Sequence, residues 1–122
     1  MKLQLLDERF GVCRLAPDEV LGSWAMNGKF CSVTRTADEL SVVCLEERIP
    51  ENVRSERGWR CIQVVGPLDF SLVGILAKLS SILAEASVSI FAISTFDTDY
   101  ILLKESNLDG AVQALREAGY EI

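Results

Sequence analysis

The stretch Phe96-Asp97-Thr98-Asp99 sets two carboxylates two residues apart between the apolar runs 88–95 and 100–104. On a turn between two strands, Asp97, Asp99 and the main-chain carbonyls of Ser94 to Phe96 can accept hydrogen bonds from an ammonium or another cation. The same aspartates also suit a plain β-turn, because Asp bonds its own backbone. A second chemically capable segment lies upstream, where a helix is expected to begin near Ser71. The first turn of a helix leaves N–H groups without intrahelical partners and carries partial positive charge, so it receives carboxylates. Asp69 or Ser71 can cap that start. Gly74, lacking Cβ, lets a ligand or a neighbouring backbone approach.

The remaining reactive side chains point away from catalysis. The chain has four cysteines and no histidine. Cys13, Cys31, Cys44 and Cys61 each fall in an apolar, strand-like run, so each is expected to act as a small buried hydrophobe. Their spacing does not match a zinc site. Without His, the commonest general base near neutral pH is missing. No other nucleophile and base stand at a spacing that demands a catalytic reading. No enzyme, cofactor or metal is therefore expected.

The elements that position these residues are clearest in the second half. Residues 60–65 alternate and are β-branched, which predicts a strand. Gly66-Pro67 ends it. Apolar residues at 72, 75, 76, 79, 82, 83 and 86 form one face of a helix over 71–86. Residues 88–95 and 100–104 predict two more strands joined by the Asp97–Asp99 turn. Ser106 or Asn107 is expected to cap a second helix, with Leu108, Ala111, Val112, Leu115 and Ala118 on its inner face and Gly119 at its end. Residues 120–122 read as a short last strand. The order β-α-β-β-α-β defines an α+β, ferredoxin-like unit, an antiparallel sheet with two helices on one face. The first half is less regular. Residues 2–6 and 10–15 read as strands, 18–24 as a short helical turn, and 30–35 with 40–45 as a hairpin. Residues 46–58 read as a linker or a short exposed helix. Trp24 and Trp59, flanking the ill-defined parts, are read as partly buried packing residues.

Composition narrows the partners. The 122 residues carry a net charge of −6 and are 49% hydrophobic, enough apolar content for a core. The acidic balance argues against nucleic acid and against an anionic membrane surface, both of which need clustered Lys and Arg. No run approaches the length needed to span a bilayer. The first residues lack the form of a signal peptide, so a cytoplasmic location is expected.

Two segments resemble a known family. Ile62-Gln-Val-Val-Gly-Pro-Leu-Asp-Phe-Ser-Leu-Val-Gly-Ile-Leu76 resembles the opening of an ACT domain, where a strand leads through an acidic residue and a glycine into the first helix. The stretch from Ser80 to Lys104, with Ser94-Thr-Phe-Asp-Thr-Asp99 at its centre, is similar to the branch shared by small bacterial double-ACT proteins, the Castor arginine sensors and aspartate kinase regulatory domains. The resemblance implies a complete ACT domain over 59–122 and an abbreviated ACT-like unit plus linker over 1–58. It also implies a regulatory protein that binds a small molecule, expected to be an amino acid, and acts in trans as a homodimer or through an enzyme or protein partner. Carried over by position, Asp69, Ser71 and Gly74 form the helix-start side of the site, and Thr95, Phe96 and Asp99 the strand-turn side. The chain departs from the common ACT pattern by lacking Pro-Gly at the helix start and by carrying Phe70 there. That departure motivates a second expectation, an interaction module that has lost its ligand.

Overall fold

The computed structural model describes residues 1–66, 68 and 73–122. Among these, in chain order, stand β1 (Leu3–Leu5), β2 (Phe10–Leu15), β3 (Ser32–Arg35), β4 (Leu40–Leu45), β5 (Arg54–Val64), α1 (Ile75–Glu85), β6 (Ile90–Ser94), β7 (Asp99–Lys104) and α2 (Leu108–Glu117). Contacts divide the chain into two units. One is Glu8–Trp59; the other joins Met1–Asp7 to Arg60–Ile122.

In the Glu8–Trp59 unit, β3 and β4 form the expected hairpin, in register from Ser32↔Val43 to Arg35↔Leu40. Thr36 closes it: its hydroxyl oxygen accepts from the N–H groups of Asp38 and Glu39, each at 3.1 Å. β4 pairs on its other side with β2, and β2 with the first part of β5. The expected linker over 46–58 is thus corrected. Only Glu46–Arg48 is helical, as a 3-10 turn, and Arg54 already begins a strand. In Arg54-Ser-Glu-Arg-Gly58 the Arg54, Glu56 and Arg57 residues are exposed, Ser55 is half-buried, and none is apolar, so apolar alternation gives no sign of the strand. The helical turn expected over 18–24 is instead a 3-10 turn at Ser23–Ala25. Alternate residues of β2 and β4, among them Cys13, Leu15, Leu40, Val42 and Cys44, pack with Ala25 and Ile49 into a core, and Trp24 is half-buried against it. Phe10 meets Phe30 edge-to-face, with ring centroids 5.7 Å apart.

Three cysteines behave as small hydrophobes: Cys13, Cys44 and Cys61 are buried. Cys31 departs, being half-buried, with its thiol directed at the Met26 sulfur, 3.9 Å away. A thiol–thiol hydrogen bond with Cys13, and after it burial, push Cys44 far above its ordinary value, while the same bond holds Cys13 below its own.

In the other unit, β6 and β7 pair from Ile90↔Leu103 to Ser94↔Asp99. β7 lies beside β5, and β5 pairs on its far edge with β1, from Leu3↔Val64 to Leu5↔Ile62. The last strand expected at 120–122 is reduced to one parallel bridge, Lys2↔Glu121. β1 therefore takes the place beside β5 that the final strand of a β-α-β-β-α-β unit was expected to fill. Sequence order had grouped β1 with the first half. Arg60 anchors the end of β1, donating to the Leu6 carbonyl at 3.1 Å and lying 3.6 Å from the Glu105 carboxylate.

Both helices pack on one core with Leu3, Ile62, Val64, Ile101 and Leu103. α1 contributes Leu79 and Leu83, α2 Ala111 and Leu115. Each leucine, fully withdrawn from water, contributes roughly 1.5–3 kcal/mol. The α+β, ferredoxin-like reading of this segment holds. α1 begins later than expected, at Ile75, with Gly74 as its N-cap at φ 80°. The caps expected at Asp69 and Ser71 lie outside the described residues. α2 is entered through a 3-10 turn, Glu105–Asn107. Asn107 stands at the N-cap with near-helical backbone (φ −99°, ψ −1°), and among the described residues its side chain makes no capping bond. No helix among the described residues is long and apolar enough to cross a membrane.

Candidate functional site

Period-two alternation explains how polar groups reach the helix side of this sheet. On β7, Leu103 and Ile101 point into the core beneath the helices, so Asp99 follows on the same face. On β6, Ile90 packs against that core and Ser94 shares its parity. At this end of the hairpin the core face therefore passes from apolar to polar. Ser94 and Asp99 are register partners, and the Ser94 hydroxyl donates to Asp99 Oδ1 at 2.5 Å.

The turn between them is rigidly bonded. The Thr95 N–H donates to the Thr98 carbonyl at 2.8 Å, and the Thr98 N–H to Thr95 Oγ1 at 3.3 Å. Thr98 is buried, and its hydroxyl donates to the Val64 carbonyl on β5. The Leu68 N–H donates to the Asp97 carbonyl at 2.7 Å. Gly66 makes this approach possible: a Cβ there would lie 3.0 Å from the Leu68 nitrogen and 3.1 Å from the Asp97 oxygen. Tyr100 beside the turn is held above its ordinary value by burial, then by nearby Cys61 and Asp97.

Between this turn and the start of α1 lies a cavity of about 320 Å³. Gly74, Ile75, Leu76 and Ala77 form its helix wall; Ser94 to Asp99 form its turn wall; Leu68 contributes from the connecting segment. Its described lining holds two carboxylates, Asp97 and Asp99, and no Lys or Arg. The opposite wall is the first turn of an eleven-residue helix, where N–H groups and the helix dipole favour negative charge. The cavity is therefore bipolar. It can receive a carboxylate at one wall and a cationic group at the other.

Of the residues singled out in the sequence, Gly74, Thr95, Phe96, Asp97 and Asp99 line this one cavity. Asp69 and Ser71 lie outside the described residues. Gly74 was expected to permit close approach; among the described residues an added Cβ would meet nothing within 4 Å, and the left-handed backbone at φ +80° itself favours glycine. Phe96 is 80% exposed and Val73, next to Gly74, is 93% exposed. Sequence reasoning named Ser94 for its carbonyl and missed its side chain, and it missed Leu76 as a lining residue. The signal for Ser94 was available: a serine at the core-facing parity of a strand that otherwise carries Ile90 and Ala92 there.

Fold and cavity together define an α+β module, an antiparallel sheet with two helices on one face and a cavity at the start of α1. A family model described as the ACT domain matches residues 54–117, just over half of the chain, and the protein belongs to that family. A second family model, described as an N-terminal domain, matches residues 8–52. Subunit 1 of the cytosolic arginine sensor for mTORC1 of Homo sapiens is 36% identical over 59 residues, 48% of this chain. The chain spans only 18% of the length of that relative. A crystallised protein of Agrobacterium tumefaciens is 41% identical, with a TM-score of 0.93 over 98% of this chain and 90% of that one. The ligand-free regulatory subunit of aspartate kinase from Thermus thermophilus shares the fold at 12% identity, with a TM-score of 0.66 over 96% of this chain and 97% of that one.

Proposed function

We propose that this protein is a non-catalytic regulatory module that binds an amino acid in the cavity between α1 and the β6–β7 turn. The observation that carries this reading is the cavity's bipolar lining. A helix start faces two carboxylates across a space of about 320 Å³, which matches the two opposite charges of a zwitterion. The ligand's carboxylate sits at the first turn of α1, beside Gly74. Its cationic group meets Asp99, with Thr95 and Phe96 beside it. Membership of the ACT family and similarity to a cytosolic arginine sensor support the regulatory role and a cytoplasmic setting. The response is passed on in trans, through a homodimer or a protein partner.

Isothermal titration of the full chain with each of the twenty amino acids tests this. Heat with one or a few is expected. No heat with any, from protein whose melting is cooperative, overturns it. Sedimentation with and without the binder tests the second step, a shift in self-association being the expected result. A second reading, an interaction module without a ligand, is favoured by the exposure of Val73 and Phe96 beside the cavity. It predicts self-association that amino acids and Asp99→Ala leave unchanged.

A further inference from the structure

The sequence reading uses Ser94 only for its carbonyl, yet its side chain makes the hydrogen bond to Asp99 in this cavity. We propose that Ser94 is a positioning residue whose hydroxyl orients the Asp99 carboxylate toward the ligand's cationic group, and so sets the preference for ligands that carry one. The proposal rests on the amino-acid reading above.

Three observations lead to it. The two residues are direct register partners at the last position of the β6–β7 ladder, so their side chains meet across the shortest path a sheet provides. Below them the same face carries Ala92↔Ile101 and Ile90↔Leu103. The polar pair is thus the point where the core face turns polar, beside the first turn of α1. Third, the neighbouring hydroxyls are committed to the backbone. Thr95 donates to the Thr98 carbonyl at 3.1 Å and Thr98 donates to the Val64 carbonyl. Ser94 instead spends its proton on Asp99 Oδ1, at 2.5 Å.

A carboxylate on two rotatable bonds at a strand end loses rotamer freedom when it captures a cation. A hydroxyl donating to one oxygen removes that freedom in advance and leaves the other oxygen its lone pairs for the ligand. The bond is charge-assisted and correspondingly short.

The test uses the full chain and calorimetry with the twenty amino acids. For each binder, analogues are added in which one cationic group is replaced by hydrogen or hydroxyl. Ser94→Ala is expected to weaken the binder about two- to tenfold, the worth of one hydrogen bond, and Ser94→Thr to restore it. The analogue lacking the group that meets Asp99 should bind wild type and Ser94→Ala alike. In an Asp99→Ala background, Ser94→Ala should add nothing. A residue that merely braces the hairpin lowers the melting temperature while leaving affinities in place, and that result overturns the proposal. So does a loss that falls equally on charged and neutral analogues, or one that persists without Asp99. If wild type binds no amino acid, the functional reading itself fails. If wild type binds and Ser94→Ala binds as well, only the role of Ser94 fails.

Discussion

At the scale of single residues, the cavity separates what holds the turn from what would hold a ligand. Thr98 and Gly66 are engaged with backbone, so their substitution is expected to act through stability. Asp99 is the residue whose loss should act through binding. Asp99→Ala is expected to weaken the best amino-acid ligand by about tenfold to a hundredfold, the range for a hydrogen bond to a charged group, as read by calorimetry. Asp99 was legible as a charge in a turn, although it proves to be the first residue of β7. The bond from Ser94 was not legible, because cross-strand register decides it and register is a property of two segments. Tyr100 gives a pH test. Burial raises it from its ordinary value of 10.0, so the folded state keeps its proton where the unfolded state has lost it. The unfolded state then binds fewer protons, and stability falls as pH rises above about 10. Urea midpoints between pH 8 and 11, compared with those of Tyr100→Phe, should show the variant losing part of that alkaline decline.

At the scale of elements, the apolar stripe from Ile75 to Leu83 correctly announced α1, because the face that packs is the face that repeats. Its start falls later than the stripe suggested, at Ile75, because the helix opens on Gly74 in a left-handed conformation that apolar periodicity does not encode. Its end carries a different device. Ser87 follows α1 at φ 62°, the one non-glycine residue with positive φ among the described residues. Its N–H donates to the Ala84 carbonyl at 3.0 Å, and the Val88 N–H to the Leu83 carbonyl at 2.9 Å. This is the position where a helix end favours glycine, since Cβ crowds the backbone there. Ser87→Gly is expected to stabilise the fold by roughly 1 kcal/mol, the left-handed strain relieved less the added freedom of the unfolded chain. Thermal melting checks it, and a lower melting temperature would contradict the assignment. α2 is announced by the same 3.6-residue logic, and Gly119 ends it with φ +97°.

At the scale of the whole molecule, the sequence is a poor guide to which strand belongs where. Residues 2–6 read as a strand correctly, but alternation names no partner. The choice was made by Leu3, 2% exposed within the core beneath the helices, and by backbone bonds on both flanks. Leu3 N–H donates to the Glu121 carbonyl at 2.7 Å, and Val65 N–H to the Lys2 carbonyl at 3.0 Å. β1 thus covers an edge of β5 that the final strand, reduced to one bridge, leaves open. An uncovered edge in this position would present unpaired N–H and C=O groups to other chains. The unit that carries the cavity is therefore discontinuous in sequence, and its stability should depend on residues far from the residues that bind. Leu3→Ala is expected to cost about 2–5 kcal/mol while leaving the affinity of the remaining folded protein unchanged, as measured by urea unfolding and calorimetry. A chain beginning at residue 8 should melt lower than the full protein and self-associate through the bared edge. A peptide of residues 1–7 added in trans should raise its melting temperature. If that shortened chain melts like the full one, β1 is not a structural part of the unit.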